Sequence, residues 1–417
     1  MKILMSLRDP YPPRRADVKS LFGKYLSQRG LSTDLLAQTA PDGGDADTGW
    51  PAGRATVLAH APGASRVMRL LRASRFFFLG LFRCGREADA IQVRDQVFLS
   101  LAGLAAARLR GIRFFYWMSF PFPEGDLEIV RTQSLAGRPL RSGITYCRGL
   151  LGYRLLYGFV ARRADHVFVQ SDRMLELMVE RGVPRARMTA VPMGVDMARV
   201  GAAAHLPVSD HRLHGRRTLI YIGALDRVRR IDFLLEVLAR VSLDIPKVAL
   251  VLAGGASEPE DVEWLKKEAG RLGIANSVVW LGWLSTEEAW RYVKSAEIGL
   301  SAIPPGPLYD VSSPTKALEY MALGIPVVAS RIPDQEKVLT ESQAGLTTGY
   351  DVHAFAEAVT QLLLDPQRAQ RMGMRGPEYI ARERDYQVLA ERLAVVYRGL
   401  LAAPVVTPAP GAGAQRT

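Results

Sequence analysis

A chain of 417 residues is too long for one ordinary domain and suits two of about 200 residues each. Its hydrophobic fraction of 48% is enough for two cores, and its 37 glycines point to tight turns rather than disorder. The longest apolar runs, 76–82 and 97–107, fall short of the roughly 20 residues of a spanning helix, which argues against a membrane-spanning class. Met1–Leu7 runs straight into Arg8, Asp9 and Pro10 and lacks the apolar core of a secretion signal. Cys84 and Cys147 stand in no metal or redox spacing, so a disulfide scaffold or zinc module is not expected, and reduced thiols fit a cytoplasmic protein. The charge is uneven. Residues 1–200 carry 30 Lys and Arg against 17 Asp and Glu, a net of +13, whereas 201–417 carry 24 against 25, a net of −1. An excess confined to one half argues for a polyanionic neighbour such as anionic lipid, nucleic acid or a phosphorylated acceptor.

In chain order, short β-branched or apolar runs alternate with helical patterns, the signature of βαβ units around parallel sheets. In the first half strands are expected at 2–5, 56–59, 90–93, 113–117, 166–169 and 189–191, with helices at 17–29, 66–82 and 138–163. The second half is clearer. It has strands at 218–222, 248–253, 278–281, 299–302, 326–329 and 345–347, and helices near 231–241, 259–272, 286–296, 315–323 and 352–364. Residues 1–200 then form one domain, 201–217 a linker and 218–385 a second domain. The linker holds His205, His211 and His214, read as solvated histidines rather than metal ligands. A last helix at 386–402 carries Leu389, Leu393, Val396 and Leu400 at helical spacing and is expected to pack back on the first domain. Residues 403–417, rich in Ala, Pro and Gly, read as a disordered tail.

The most telling stretch is 304–330. Ser313 suits an N-cap and Pro314 a first helical position, so Ser312, Ser313, Pro314 and Thr315 open a helix whose free N–H groups suit an anion. Lys316 adds a cation in the first turn, and Glu319, three residues on, shares its face. That pair suits a ligand with phosphate at one end and hydroxyls at the other; a plain capped helix with an i,i+3 ion pair is the alternative. The strand at 218–222 ends at Gly223, followed by Arg227, Arg229 and Arg230, whose guanidinium forks match phosphate oxygens. Gly254 and Gly255 follow the next strand and let backbone approach a ligand. Loops at the C-terminal ends of parallel strands are where open α/β sheets bind ligands.

These motifs resemble those of retaining GT-B glycosyltransferases of family-4 type, in the Ser-Pro-x-Lys-x-x-Glu subgroup. The resemblance rests on Val191-Pro192-Met193-Gly194-Val195-Asp196, on Gly223 with Arg229 six residues later, and on the block 313–328. It is specific in the second half and loose in the first. It implies an α/β GT-B fold, two Rossmann-like domains whose parallel sheets face each other across a cleft. It also implies that Arg229 and Lys316 hold a donor diphosphate, that Glu319 bonds the ribose, and that Gly282, Trp283 and Leu284 line the nucleobase. Two positions depart from the family pattern: Ala224 stands where an arginine is common, and Val311 where a glutamate often meets the donor sugar.

In the first domain, Arg14, Arg15, Ser119 and Glu124 are the candidates for acceptor contact; the family often has a histidine near Ser119, and this chain has none there. Arg66, Arg69, Arg72 and Arg75 precede the aromatic run Phe76–Phe82, a combination that suits an interfacial helix on anionic lipid. The alternative is a core helix with a solvated arginine face. No motif for nucleic acid accompanies the charge. The sequence thus leads to a peripheral enzyme on the inner face of the plasma membrane, moving sugar from a UDP- or GDP-linked donor to a lipid-linked or polysaccharide acceptor with retention. Cell-surface or exopolysaccharide synthesis is its expected setting. No cofactor is expected, and no metal. Domain closure would exclude water. A sugar-nucleotide epimerase of the same fold, or an inactive membrane-docked partner of another transferase, are the rival readings.

Overall fold

The computed structural model describes residues 1–39, 49–132, 139–203, 208 and 210–403. The expected tail beyond 403, the start of the 138–163 helix and His205 lie outside these residues. Two compact units emerge. One comprises 1–168, 178–189 and 390 onward, and the other 169–177 and 190–389. The division differs from a single break near residue 200. The last helix, Tyr386–Ala402, changes unit within its first turns.

The first unit is built on a seven-stranded sheet of β1 (Lys2–Tyr11), β2 (Ser32–Thr39), β3 (Ala55–Leu58), β4 (Ala90–Arg94), β5 (Arg113–Met118), β6 (His166–Val169) and β7 (Met188–Ala190). Their order is β3-β2-β1-β4-β5-β6-β7, with β1 parallel to both β2 and β4. Chain order reverses direction between β1 and β4, the switch point at which such sheets open a crevice. Strand β2 was not expected. Its Thr33 and Asp34 interrupt the apolar pattern, yet both are buried, with Asp34 3.2 Å from the Lys2 ammonium. The helices α1 (Arg66–Arg83), α2 (Val97–Leu109), α3 (Phe122–Thr132) and α4 (Pro139–Leu155) follow β3, β4 and β5. Serine 65 caps α1 by accepting from the Met68 amide.

Within the first unit, the final helix buries Ala390, Leu393, Ala394 and Tyr397. Its stripe therefore centres on Tyr397 rather than on Val396 and Leu400. The Tyr397 ring lies 4.8 Å from Phe168, and its hydroxyl donates to Gln92 at 2.6 Å. That hydroxyl finds a buried acceptor, which an aliphatic stripe does not need.

The second unit has a six-stranded, wholly parallel sheet in the order β10-β9-β8-β11-β12-β13. Its strands are β8 (Arg217–Ile222), β9 (Val248–Ala253), β10 (Val278–Gly282), β11 (Ile298–Ser301), β12 (Val327–Ser330) and β13 (Gly345–Thr348). Every residue of β9, β11 and β12 is buried, as a parallel sheet with both faces covered requires. Its switch point lies between β8 and β11.

One buried polar network holds this unit's irregular segments. The Arg384 guanidinium donates to Asp334 at 2.7 Å and to the Met193 carbonyl at 3.3 Å. Ser313 Oγ donates to the other Asp334 oxygen at 2.7 Å and accepts from the Met193 amide at 2.9 Å. Arg384 and Asp334 are 4% and 8% exposed. Removing one partner strands a buried charge, so Asp334→Ala is expected to cost about 3–5 kcal/mol in urea unfolding. The paired replacement Arg384→Met with Asp334→Leu, which strands no charge, is expected to cost far less. Equal losses would contradict this account of the pair.

Candidate active site

The loops after β8, β9 and β10 and the segment after β11 meet at the switch point of the second sheet. Strand β8 ends in Gly223 at φ 132°, and a Cβ there would lie 2.8 Å from Lys316 Cε. Only glycine leaves that space to the lysine. At Gly254 a Cβ would sit 1.9 Å from the Gly223 carbonyl oxygen, so the two loops touch backbone to backbone. Gly255 lies against the Trp283 indole, which is 67% exposed and stands as a bare aromatic surface beside the loop.

Lys316 sits in the first turn of the helix Thr315–Ala322. Its ammonium lies 5.3 Å from the Tyr221 ring centre. Burial, then the nearby Arg229 guanidinium, push it down to about 8, while Glu319 opposes. Two cations thus act on each other here, an arrangement that an anion stabilises. The N-cap of this helix is Pro314, not Ser313: Ser313 is buried and spends its hydroxyl on Asp334 and Met193 instead. Ser312 donates to the Tyr309 carbonyl at 2.5 Å, tightening the preceding turn.

Glu319 takes the Trp290 indole N–H on Oε2 at 2.7 Å. Burial pushes its carboxyl up, partly offset by Trp290 and Thr315. Lys316 and Glu319 form no ion pair among the described pairs, so the i,i+3 alternative does not explain them. Arg227, Arg229 and Arg230 do not act together. Arg227 is 3.3 Å from Asp261 and lies over Trp264, and Arg230, left-handed at φ 53°, pairs with Asp232 at 3.0 Å. Arg229 alone acts on Lys316. The segment after β11 returns over this loop, where the Tyr309 hydroxyl donates to the Val228 carbonyl at 3.4 Å. Val311 is buried, and its carbonyl accepts from Ser171 at 2.6 Å. Gly282 turns at φ 70°, and Leu284 packs on the apolar cluster beneath. Tyr221, Trp290 and Tyr309 carry no signal in the sequence, because a lone aromatic in a strand, a helix or a loop forms no motif.

The acceptor candidates of the first unit separate. Arg14 is exposed, and Arg15 sits 3.5 Å from Asp17. The Ser119 amide donates to Asp95 at 2.7 Å and its hydroxyl to the other carboxylate oxygen. Asp95 is left-handed at φ 58°, and burial pushes its carboxyl up, with Arg94 opposing. Arg94 is wholly buried and donates to Asp17 at 2.6 Å. Glu124 belongs to a different cluster: it accepts from the Tyr157 hydroxyl at 2.6 Å and lies 3.8 Å from Arg181. Phe120 and Phe122 pack edge to face with centres 5.1 Å apart.

Residues 209–379 match the family model "Glycosyl transferases group 1" and residues 21–194 the model "Glycosyl transferase 4-like domain". Among curated proteins, a GDP-mannose-dependent alpha-(1-6)-phosphatidylinositol monomannoside mannosyltransferase of Mycobacterium tuberculosis is 30% identical over 223 residues. The match spans 52% of this chain and 57% of that protein. A D-inositol 3-phosphate glycosyltransferase of Corynebacterium urealyticum is 28% identical over 262 residues, 60% of each chain. The chain therefore spans little more than half the length of these relatives. Among solved structures, the Anabaena Alr3699/HepE protein in complex with UDP superposes with a TM-score of 0.69 at 16% identity, covering 96% of this chain and all of that one. A sucrose-phosphate synthase from Thermosynechococcus elongatus gives 0.71 at 20% identity over 96% and 99% of the two chains. The α/β GT-B fold follows from these likenesses.

The charge state of Lys316 gives a direct check, with inorganic pyrophosphate as the probe. Below about pH 8 the lysine is charged and attracts it; above, the empty site loses that charge. Bound pyrophosphate raises the ammonium's pKa, so binding takes up a proton above pH 8, and affinity falls by up to about tenfold per pH unit. Titration calorimetry in buffers of different ionisation enthalpy reads the uptake. It is expected to be larger in the wild type than in Lys316→Arg, where only the anion's own ionisation contributes, and equal values would mean that Lys316 does not face the anion.

Proposed function

Starting from two segments that match glycosyltransferase models, we propose that this protein transfers a sugar from a UDP- or GDP-linked donor to an acceptor hydroxyl, with retention at the anomeric carbon. The observation that carries this reading is Lys316 lying over Gly223 beside Arg229, at the opening of a helix and at the sheet's switch point. There the two cations stabilise the negative charge that grows on the leaving diphosphate as the glycosidic bond breaks. Glu319, held by Trp290, accepts from the ribose hydroxyls, and the exposed Trp283 face stacks on the base. The site's own cations supply the counter-charge that a metal supplies elsewhere, and the reading is metal-independent.

The acceptor is lipid-linked or polysaccharide and is held by the first unit. The enzyme works at the inner face of the plasma membrane, docked by α1. No helix among the described residues is long and apolar enough to cross a membrane. Along α1, Val67, Met68, Leu70 and Leu71 are all at least 59% exposed, with Arg72 and Arg75 exposed beside them. Arg69 bonds the Ala64 carbonyl at 2.9 Å and so steadies the helix start. Apolar side chains beside free cations on one helix suit an interfacial position.

Three measurements test these parts separately. Lys316→Ala and Arg229→Ala are each expected to lower turnover of the preferred nucleotide sugar by about 10²-fold or more, with unchanged melting temperature. Glu319→Gln is expected to weaken nucleoside diphosphate binding without loss of stability. Wild-type turnover in either cation variant would overturn the donor assignment. For docking, Arg72→Gln with Arg75→Gln is expected to weaken binding to phosphatidylglycerol vesicles by about 30-fold at low salt, at about 1 kcal/mol per charge. Unchanged co-sedimentation would leave α1 a solvated face.

A further inference from the structure

A second basic feature of the first unit takes no part in the donor site. The exposed residues Ile144, Cys147, Leu151, Arg154, Gly158 and Arg162 succeed one another at intervals of three or four along α4 and its continuation. At helical spacing they form one strip, apolar at its start and basic at its end. Ile144 is 61% and Leu151 52% exposed. A π-helical turn, Leu156–Val160, interrupts the helix at the basic end, and such turns often mark functional sites. At Gly158 a Cβ would meet nothing within 4 Å, so the strip dips there.

Over this dip lies a cavity of about 610 Å³ whose charged lining is Arg154, Arg162, Arg181 and Glu180, with Tyr153 and Tyr157 beside them. A volume of that size suits a small ligand. Arg181 is held in place rather than loose. Its guanidinium lies 4.8 Å and 5.3 Å from the Tyr153 and Tyr157 ring centres, bonds the Tyr153 hydroxyl, and sits 3.8 Å from Glu124. Glu124 is itself tied to the Tyr157 hydroxyl at 2.6 Å, and its other oxygen is buried without a partner. Arg162 reaches over Gly182, 2.6 Å from where a Cβ would stand. Beside the dip, Arg163 lies 3.9 Å over the ring of Phe159, which is 38% exposed.

We propose that this pocket is a lipid headgroup site: it takes the phosphate of an anionic phospholipid between Arg154, Arg162 and Arg181, with the apolar start of the strip and Phe159 against the interfacial acyl region. Three guanidinium groups outnumber the two carboxylates nearby, Glu180 and Glu124, and their planar forks fit phosphate oxygens. A soluble phosphate would use only the basic end and leave Ile144 and Leu151 bare in water. A lipid uses both ends at once, because its charge and its hydrocarbon are joined in that order. The proposal rests on the membrane part of the proposed function but not on α1 or on sugar transfer.

Co-sedimentation with phosphatidylglycerol vesicles, against phosphatidylcholine vesicles, tests it on the full chain. Arg154→Gln with Arg162→Gln is expected to weaken binding to the anionic vesicles by about 30-fold. Gly158→Leu fills the dip without altering charge, and leucine is the better helix former, so this variant is expected to fold. A loss of the same order in Gly158→Leu supports a pocket. Wild-type binding by Gly158→Leu overturns it and reduces the arginines to diffuse attraction. No sedimentation of the wild type at low salt also overturns it. So does release by a short RNA beyond that caused by chloride at equal ionic strength. Loss in Arg72→Gln with Arg75→Gln while both pocket variants bind normally would leave α1 as the docking element and sink this site alone. The proton uptake that links pyrophosphate binding to Lys316 is expected to be unchanged in all these variants, so failure here is distinct from failure of the donor-site reading.

Discussion

The Arg384–Asp334 ion pair is the contact through which the second unit fixes its least regular parts. A guanidinium and a carboxylate removed from water are costly unless their remaining hydrogen-bond capacity is used. Here it is used on structure. Arg384 reaches the Met193 carbonyl, and Asp334 accepts from Ser313, which in turn accepts from the Met193 amide. The segment after β7, the helix Pro333–Ser342 and the loop leading to Lys316 are thereby tied at one point. Gly194 belongs to the same construction, since a Cβ there would stand 2.3 Å from the Arg384 carbonyl oxygen.

From that anchored loop the candidate site around Lys316 follows by geometry and electrostatics. The missing side chains at Gly223 and Gly254 let two βα loops and a lysine share a space that any Cβ would fill. The cations are held near each other while the neighbouring carboxylate, Glu319, is turned to an indole N–H. A site that keeps like charges together and its carboxylate to one side is prepared for an anion before any anion arrives, and the unfavourable charge proximity is relieved on binding.

The first unit divides its charges between interior and surface. Inside, Arg94 is wholly buried among Asp9, Asp17 and Asp95, and Asp95 adopts a left-handed conformation uncommon for a residue with a side chain. Strain of that kind persists only where the surroundings enforce it. Outside, the arginines of α1 and of the helix from Pro139 stand beside exposed apolar side chains. The net charge of +13 in residues 1–200 is thus not spread evenly; part of it lies on helical faces that also expose hydrocarbon.

The sequence by itself determined the alternation of strands and helices, the two-domain scale and the positions of Lys316, Glu319 and Gly223. Each of these is written locally, in apolar periodicity or in a residue type that a turn or helix start demands. Strand β2 was not legible, because Thr33 and Asp34 look like loop residues until Lys2 lies beside Asp34. Nor was the division of labour among Arg227, Arg229 and Arg230, which depends on Asp261 and Asp232 claiming two of the three. Ser313 reads as a helix cap by position, yet its hydroxyl goes to Asp334, 21 residues away along the chain. Tyr397 replaces the aliphatic end of the expected stripe because Gln92 offers its hydroxyl a buried acceptor. Those outcomes rest on partners far apart in sequence, and only the packed chain brings such partners within bonding distance.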